Sequence, residues 1–303
     1  MLRKLVNYRR WWYAFSILLV VPGTIALVTF GLRLGIDFTG GSLIELQVPT
    51  HTNSETVREA VGERYGNPVV QATSDDAFQV RVEELTPAQH NELRQQLTER
   101  LGEGTRELRF ESVGPSISED LRNKAILSVG IGSLLILLYI AYAFRNVPKP
   151  ASSWRFGVTT VVTLLHDILF TLGVFALLGK FAGVEIDANF VAALLTVIGY
   201  SVHDTIVVFD RIRENLVKRV GKDFSETVNY SIAQTLIRSI NTSVTVLFVL
   251  VAMYFFGGDS LKGFILALLI GTVIGTYSSI FNAAPLLVSW QLWSDKRAAK
   301  QRP

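Results

Sequence analysis

Residues 189–209 read NFVAALLTVIGYSVHDTIVVF, an apolar run of membrane-crossing length that carries one carboxylate, Asp204. A carboxylate at membrane depth costs roughly 2.5–3.5 kcal/mol on insertion scales, so one that persists faces a polar interior or a partner rather than lipid. The stretch therefore predicts a transmembrane helix packed into a bundle, with Asp204 at an ion or proton site.

The rest of the chain agrees with a membrane reading. It has 303 residues, 49% of them hydrophobic, and the apolar residues gather in runs near the ~20 needed to cross the hydrocarbon core. These runs are Trp12–Phe30, Leu121–Phe144, Phe156–Leu178, Asp187–Phe209, Ser239–Phe256 and Leu261–Trp290, the last long enough to tilt or to extend past the bilayer. A net charge of +3 gives no basis for nucleic-acid binding, because the basic residues have a topological explanation. Arg3, Lys4, Arg9 and Arg10 precede the first run, and Arg145, Lys149 and Arg155 lie between the second and third. Arg211, Arg213, Lys218, Arg219 and Lys222 lie between the fourth and fifth, and Lys296, Arg297, Lys300 and Arg302 follow the sixth. The positive-inside rule then predicts cytoplasmic termini and an exported, periplasmic or extracellular, segment after the first helix. That first helix reads as a retained signal anchor, since its apolar run is long and no small-x-small cleavage pattern follows. Cysteine is absent, which excludes disulfides and thiolate metal sites.

The boundaries expected are 1–34 for the N-terminal segment with helix 1, 35–118 for the exported domain, 119–294 for helices 2–6, and 295–303 for a cytoplasmic tail. A cytoplasmic connection is expected over 210–237. Within the exported domain, Leu43–Val48 alternates as a strand, followed by a helix at Ser54–Tyr65 and strands at Val69–Ala72 and Ala77–Val82 separated by Ser74-Asp75-Asp76. A helix from Thr86 and a strand at Glu107–Val113 complete a β-α-β-β-α-β order, the ferredoxin-like split βαβ arrangement. Thr86-Pro87-Ala88-Gln89 places a capping threonine, proline at the first helical position and glutamine three residues after the cap. The domain's histidines, His51 and His90, stand apart, and nothing there resembles an enzyme site. It reads as a binding or mechanical module.

Helical spacing sorts the fourth run into two stripes: Tyr200, Ser201 and Asp204 on one side, Thr196, Gly199 and His203 on the next. His203 is a candidate proton relay, because histidine titrates nearest neutral pH. The third run, VVTLLHDILFTLG, repeats the His-Asp pair as His166-Asp167, and Asp167 is a candidate second member of a polar network. Arg238 opens the fifth run as Arg-Ser-Ile-Asn-Thr-Ser; it either supplies a countercharge to Asp204 or snorkels as an interfacial anchor. Gly271, Gly275 and Ser278 or Ser279 form a stripe of small residues that predicts close helix packing. Asp210–Glu214 and the following segment Asn215–Thr235 read as an interfacial, partly amphipathic helix with solvated charge pairs. No Walker-type loop occurs, and no two of the four histidines are spaced i+3 or i+4, so neither nucleotide hydrolysis nor a metal site is expected.

Val197–Glu214 (VIGYSVHDTIVVFDRIRE) closely resembles the signature of the SecF family, membrane subunits of SecDF protein-export complexes. Gly35–Gly41 (GIDFTGG) and Gln234–Ser243 (QTLIRSINTS) extend the likeness along the chain. The resemblance implies a polytopic α-helical membrane protein of the resistance-nodulation-division superfamily, with six transmembrane helices forming half of a pseudo-symmetric bundle and an α+β ferredoxin-like exported domain between helices 1 and 2. It implies SecD as the other half and the SecYEG channel with SecA as collaborators, with YajC and YidC as further candidates. Unfolded preprotein in a bacterial plasma membrane is the implied substrate. It also implies that the proton gradient, rather than a cofactor, drives late translocation. By the same likeness Asp204 matches the essential carboxylate and Arg238 the fifth-helix arginine. Gly35, Asp37, Gly40, Gly41, Gly199, Tyr200 and Ser201 fall in motif positions with a conformational role. His203 departs from the family pattern, which more usually has asparagine. The alternative readings are a proton-coupled subunit of the same superfamily that moves a small molecule or lipid, and a passive scaffold.

Overall fold

The computed structural model describes residues 2–49, 52–72, 76–148 and 150–300, without the side chains at 2, 3, 63, 259 and 298. Of the residues singled out above, His51, Ser74, Asp75, Lys149 and Arg302 lie outside the described residues, as does the Arg3 side chain. The elements run α1 (Arg9–Phe30), α2 (Ile36–Thr39), β1 (Gly41–Gln47), α3 (Ser54–Val61), β2 (Val69–Ala72), β3 (Ala77–Val82), α4 (Pro87–Leu101), β4 (Arg106–Val113) and α5 (Pro115–Ala143). Then come α6 (Ser153–Ala182), α7 (Ala188–Val217), α8 (Phe224–Phe256), α9 (Lys262–Ser278), a π-helical turn Ser279–Ala283 and α10 (Ala284–Lys300). The chain divides into two compact units, residues 34–126 and the helices of 1–33 with 127–303.

The smaller unit is a four-stranded sheet of order β2-β3-β1-β4, every neighbouring pair antiparallel, which is the split βαβ arrangement expected from the strand pattern. Alternation puts Ile44, Leu46, Phe78, Val80 and Val82 on one face, where they pack against Val57 and Val61 of α3 and Leu93 and Leu97 of α4. Thr86 caps α4 through the full capping box: its side chain accepts from the Gln89 N–H, and Gln89 accepts from the Thr86 N–H at 2.8 Å. The glycine pair at the start of β1 has a steric cause. Gly41 has φ 116°, and a Cβ there would stand 2.7 Å from the Val82 carbonyl oxygen of the neighbouring strand. Where a turn was expected at Gly35–Gly41, four residues form the short helix α2, closed by Gly40 at φ 75°.

Among the described residues six helical stretches are long and apolar enough to cross a membrane: Lys4–Phe30, Pro115–Ala143, Ser153–Ala182, Ala188–Val217, Phe224–Phe256 and Lys262–Arg297. About half of α6, α7 and the last stretch is buried within the chain, while the stretches containing α1, α5 and α8 are mostly exposed. The larger unit therefore has its core along α6, α7 and α9. Small residues let α7 and α9 approach closely. A Cβ on Gly271 would collide with Val197 at 2.2 Å, and one on Gly275 would lie 3.0 Å from the Ser201 Cβ. At the end where α6 begins, Phe144 and Phe156 stack on each other and both meet Phe209 edge to face, with centroid separations of 4.7 to 6.1 Å.

The connection expected over 210–237 is mostly helix. α7 continues to Val217 and α8 begins at Phe224, so the two form one long hairpin joined by residues 218–223. Arg and Glu at i+3 and i+4 sustain the polar end of α7 through surface pairs such as Arg211–Glu214 and Lys218–Glu214. Arg219 (φ 55°) and Gly221 (φ 91°) reverse the chain. Val220 N–H then donates to the Asn215 carbonyl at 2.9 Å, and the Thr227 hydroxyl donates to the Val220 carbonyl at 2.6 Å. Asn215 Nδ2 crosses to Ser231 and Gln234 of α8 at 2.9 and 3.0 Å, fastening the two helices together.

Candidate functional site

α7 starts cleanly because Asp187 caps it, its side chain accepting from the Phe190 N–H at 2.8 Å. From there 3.6-residue periodicity turns Val197, Ser201, Asp204 and Thr205 inward, toward α6, α8 and α9. The expected sorting into stripes is what the structure shows. Ser201 and Asp204 are buried and Tyr200 is half-buried, while Thr196, Gly199 and His203 form an exposed stripe.

Two carboxylates occupy the interior. Asp204 is 2% exposed. Beside it stand hydroxyls from two other helices, Thr276 of α9 and Ser243 of α8. These two hydroxyls are 2.6 Å apart, and Tyr200 donates to Ser243 at 2.9 Å. Oδ2 of Asp204 is nevertheless buried without a hydrogen-bond partner among the described residues, and so is the Ser239 hydroxyl one turn from Ser243. An ionised oxygen left in that state is expensive, because burying a charge costs several kcal/mol unless hydrogen bonds or a countercharge offset it.

Asp167 of α6 is 1% exposed. Its Oδ2 accepts from Ser201 of α7 at 2.6 Å and from Ser278 of α9 at 2.7 Å, while His166 Nδ1 lies 2.9 Å from Oδ1. This carboxylate therefore joins three helices. A second link backs it up: Thr205 and Ser279 are 3.0 Å apart, and Ser279 also donates to the Ser201 carbonyl at 3.1 Å. The π turn makes this possible, since a wide turn changes which residues face inward. Ser278, Ser279, Ile280, Asn282 and Ala283 are all buried, more than one stripe of a regular helix would supply.

Arg238 is not brought to Asp204 within this chain. It is exposed on α8 and has no ion-pair partner among the described residues. The polar opening of that helix splits by face, with Ser239 and Ser243 inward and Arg238, Asn241, Thr242 and Thr245 outward. His203 is also outward and makes no hydrogen bond to Asp204 among the described residues. Sequence reasoning took the serines of the last run for packing. Gly271 and Gly275 do have that role, but Ser278 and Ser279 are hydrogen-bonding members of the site. Thr276 and Asn282 were missed altogether, and a seryl pair at helical spacing from a glycine pair is the one signal that pointed at this face.

A family model described as the SecD/SecF GG motif matches residues 25–48, and one described as protein export membrane protein SecD/SecF, C-terminal, matches residues 94–293. The chain belongs to the SecF family of protein-export membrane proteins. The protein translocase subunit SecF of Thermobaculum terrenum is 50% identical over 303 residues, covering 95% of this chain and 94% of that protein. The subunit of the same description from Anaerolinea thermophila is 39% identical, covering 98% of each. Among solved structures, the crystal structure of SecDF, a translocon-associated membrane protein, from Thermus thermophilus superposes with a TM-score of 0.83 at 35% identity, over 94% of this chain and 38% of that one. A crystal structure of SecDF in a super-membrane-facing form gives 0.69 at 34% identity, over 98% and 40%. This chain thus spans about two-fifths of the length of those SecDF chains. SecF membership places it in Sec-associated protein export, as a translocase subunit of SecDF, and makes it a multi-pass membrane protein. The GG motif falls on a feature already described, Gly40 and Gly41 at the entry to β1.

Proposed function

We propose that this subunit uses the proton-motive force to promote late steps of protein export, with Asp204 as the group that takes up and releases the proton. The observation that carries the reading is the buried, unpartnered Oδ2 of Asp204 inside a ring of hydroxyls drawn from α7, α8 and α9. A carboxyl with one oxygen unsatisfied gains by taking a proton there, and the hydroxyls can turn to donate or accept as its state changes. Each proton crossing supplies about 2.3 kcal/mol per 100 mV. That is enough to bias two packings of a helix pair that differ by a few kcal/mol. Asp167 and His203 are the further members of the relay.

In this reading Arg238 supplies the countercharge only in a second packing or at the subunit boundary. The outward polar face of α8, with Arg238 and Asn241, and the outward Thr196–Gly199–His203 stripe of α7 are costly in hydrocarbon. They suit a second helical bundle, for which SecD is the partner. Both termini lie in the cytoplasm and the sheet-bearing unit lies outside the plasma membrane. There it holds unfolded preprotein leaving the SecYEG channel after SecA has acted. YajC and YidC are candidates for the wider assembly, and no cofactor is required besides the gradient.

The test is Asp204→Asn in inverted membrane vesicles containing the full complex, with translocation followed with and without a proton gradient. The expected result is loss of the gradient-dependent component while the gradient-independent component persists. Gradient-dependent export at the wild-type level in the amide variant would overturn the proposal.

A further inference from the structure

A line of polar side chains leaves Asp167 and ends on α1. His166 Nε2 lies 3.3 Å from Asn282 Nδ2, and Asn282 Oδ1 lies 2.9 Å from the Ser16 hydroxyl of α1. Ser16 is in turn 3.1 Å from the Tyr277 hydroxyl, which donates to the Trp12 carbonyl of α1 at 3.0 Å. Asn282 reaches both His166 and Ser16 because it stands in the π turn.

Each member of this line has two settings. A neutral imidazole donates from one nitrogen and accepts at the other, and a carboxamide presents either its NH2 or its oxygen. Suppose the single imidazole proton is on Nδ1, donated to an ionised Asp167. Nε2 must then accept from the Asn282 NH2, and the Asn282 oxygen takes the Ser16 proton. Tyr277 has already given its proton to Trp12, so the Ser16–Tyr277 contact is left with none. Now add one proton to the pair, so that Nε2 carries a hydrogen. Asn282 must turn its oxygen to Nε2 and its NH2 to Ser16. Ser16 then donates to Tyr277, and every contact as far as the α1 backbone is satisfied.

We propose that His166–Asp167 is a second proton-binding site whose occupancy is read by Asn282 and passed through Ser16 and Tyr277 to α1. The proton enters at the imidazole–carboxylate pair and leaves from it. Asn282 carries no proton across and acts as a positioning residue. α1 is one of the two helices, with α5, whose chain leads into the unit of residues 34–126, so the line ends on a segment joined directly to that unit. The inference rests on the proton-driven reading above and adds to it the place where the proton is felt.

The surroundings favour this division of labour. The groups facing the pair are Ser201 from α7, Ser278 and Tyr277 from α9 and Asn282 from the π turn, with Ser16 of α1 bonded behind Asn282. None of these carries a formal charge, and Tyr277, with its ring 6.5 Å from that of His166, is the titratable one. The other ionisable groups of the packed helices near this depth are Asp204, His203 and Tyr200 of α7 and Tyr13 of α1. Tyr13 is bonded to Ser289, and none of the four bonds to the pair among the described residues.

The test uses the full complex in vesicles, with 15N-labelled histidine and a fluorinated tryptophan at position 12. In the wild type the His166 ring signals and the Trp12 fluorine signal are expected to change together as the pH is varied. In Asn282→Leu, His166 still titrates, the Trp12 signal no longer follows it, and gradient-dependent export falls about tenfold, a typical size for lost coupling between sites. If Asn282→Leu fails to assemble, Ser16→Ala cuts the same line one step later and must give the same uncoupling. A Trp12 signal that follows His166 as in the wild type in either variant, or His166 ring signals that do not change with pH, overturns the inference. Wild-type gradient dependence in Asn282→Leu beside its loss in Asp204→Asn would overturn this inference and leave the proposed function standing.

Discussion

Asp167 and Asp204 are both almost fully buried in neighbouring helices of the same bundle, yet their surroundings are opposite. Asp167 has two hydroxyl donors on one oxygen and an imidazole on the other, from three helices. Asp204 has an oxygen with no partner, among hydroxyls that also bond to each other. A satisfied carboxylate holds helices in place, whereas one left short of a donor gives its environment a reason to rearrange. Placing the second kind one turn from Ser201, which the first kind grips, couples holding to moving.

The comparison breaks first at Asp167. Replacing it with Ala strands the Ser201 hydroxyl and the His166 Nδ1, while Ser278 keeps the Gly275 carbonyl. A single interhelical hydrogen bond in a membrane averages only ~0.6 kcal/mol. Orphaned buried polar groups cost about 1–3 kcal/mol each, so the expected loss is about 2–6 kcal/mol in a denaturation series on the purified complex. A loss under about 1 kcal/mol would mean that Asp167 holds nothing.

Gly275→Val sharpens the same contrast with a smaller effect. A Cβ at this position already presses on Ser201, and the added methyl groups should push α7 from α9 at a cost of about 1–3 kcal/mol. Gradient-dependent export should fall as well, because Ser201 leaves Asp167. Thr86→Ala, far along the chain in the sheet-bearing unit, should cost about 1 kcal/mol through its lost cap. That loss should appear as faster amide exchange in α4, with the α6–α7–α9 amides unchanged. Asp204→Asn should move stability least, by under about 1 kcal/mol, because the amide brings a donor to an unsatisfied site. Equal destabilisation by Asp204→Asn and Asp167→Ala would erase the distinction between the two carboxylates.

Much of this was legible in the chain. Six apolar runs, the β-α-β-β-α-β order and the capping box of α4 follow from local periodicity and local hydrogen bonds, which sequence records directly. The price of an acid in an apolar helix singled out Asp204 and Asp167 for the same reason. Two kinds of feature were hidden. Arg211, Glu214 and Lys218 read correctly as part of an interfacial helix with surface pairs, but no local pattern told that this helix is the unbroken continuation of α7 to Val217, joined to α8 at Phe224 by residues 218–223. The bond from Ser278 to Asp167, and the reach of Asn282, depend on a π turn and on helices far apart in sequence. No spacing rule announces either. Arg238 shows the converse: its charge suggested a partner for Asp204, but which face of α8 it occupies was decided by Ser239 and Ser243 packing inward.

The turn at residues 218–223 ties the ends of α7 and α8 through Asn215, Val220 and Thr227. Such a pair of rods works like tweezers, unable to part at the fastened end and free to splay from the other. Asp204 lies 13 residues before Val217, a lever arm of about 20 Å at 1.5 Å per residue. Each degree of splay therefore moves it by about 0.3 Å. Roughly eight to nine degrees of splay would open the ~2.8 Å that a water molecule needs beside the carboxylate, and the tips at Ala188 and Phe256 swing roughly twice as far.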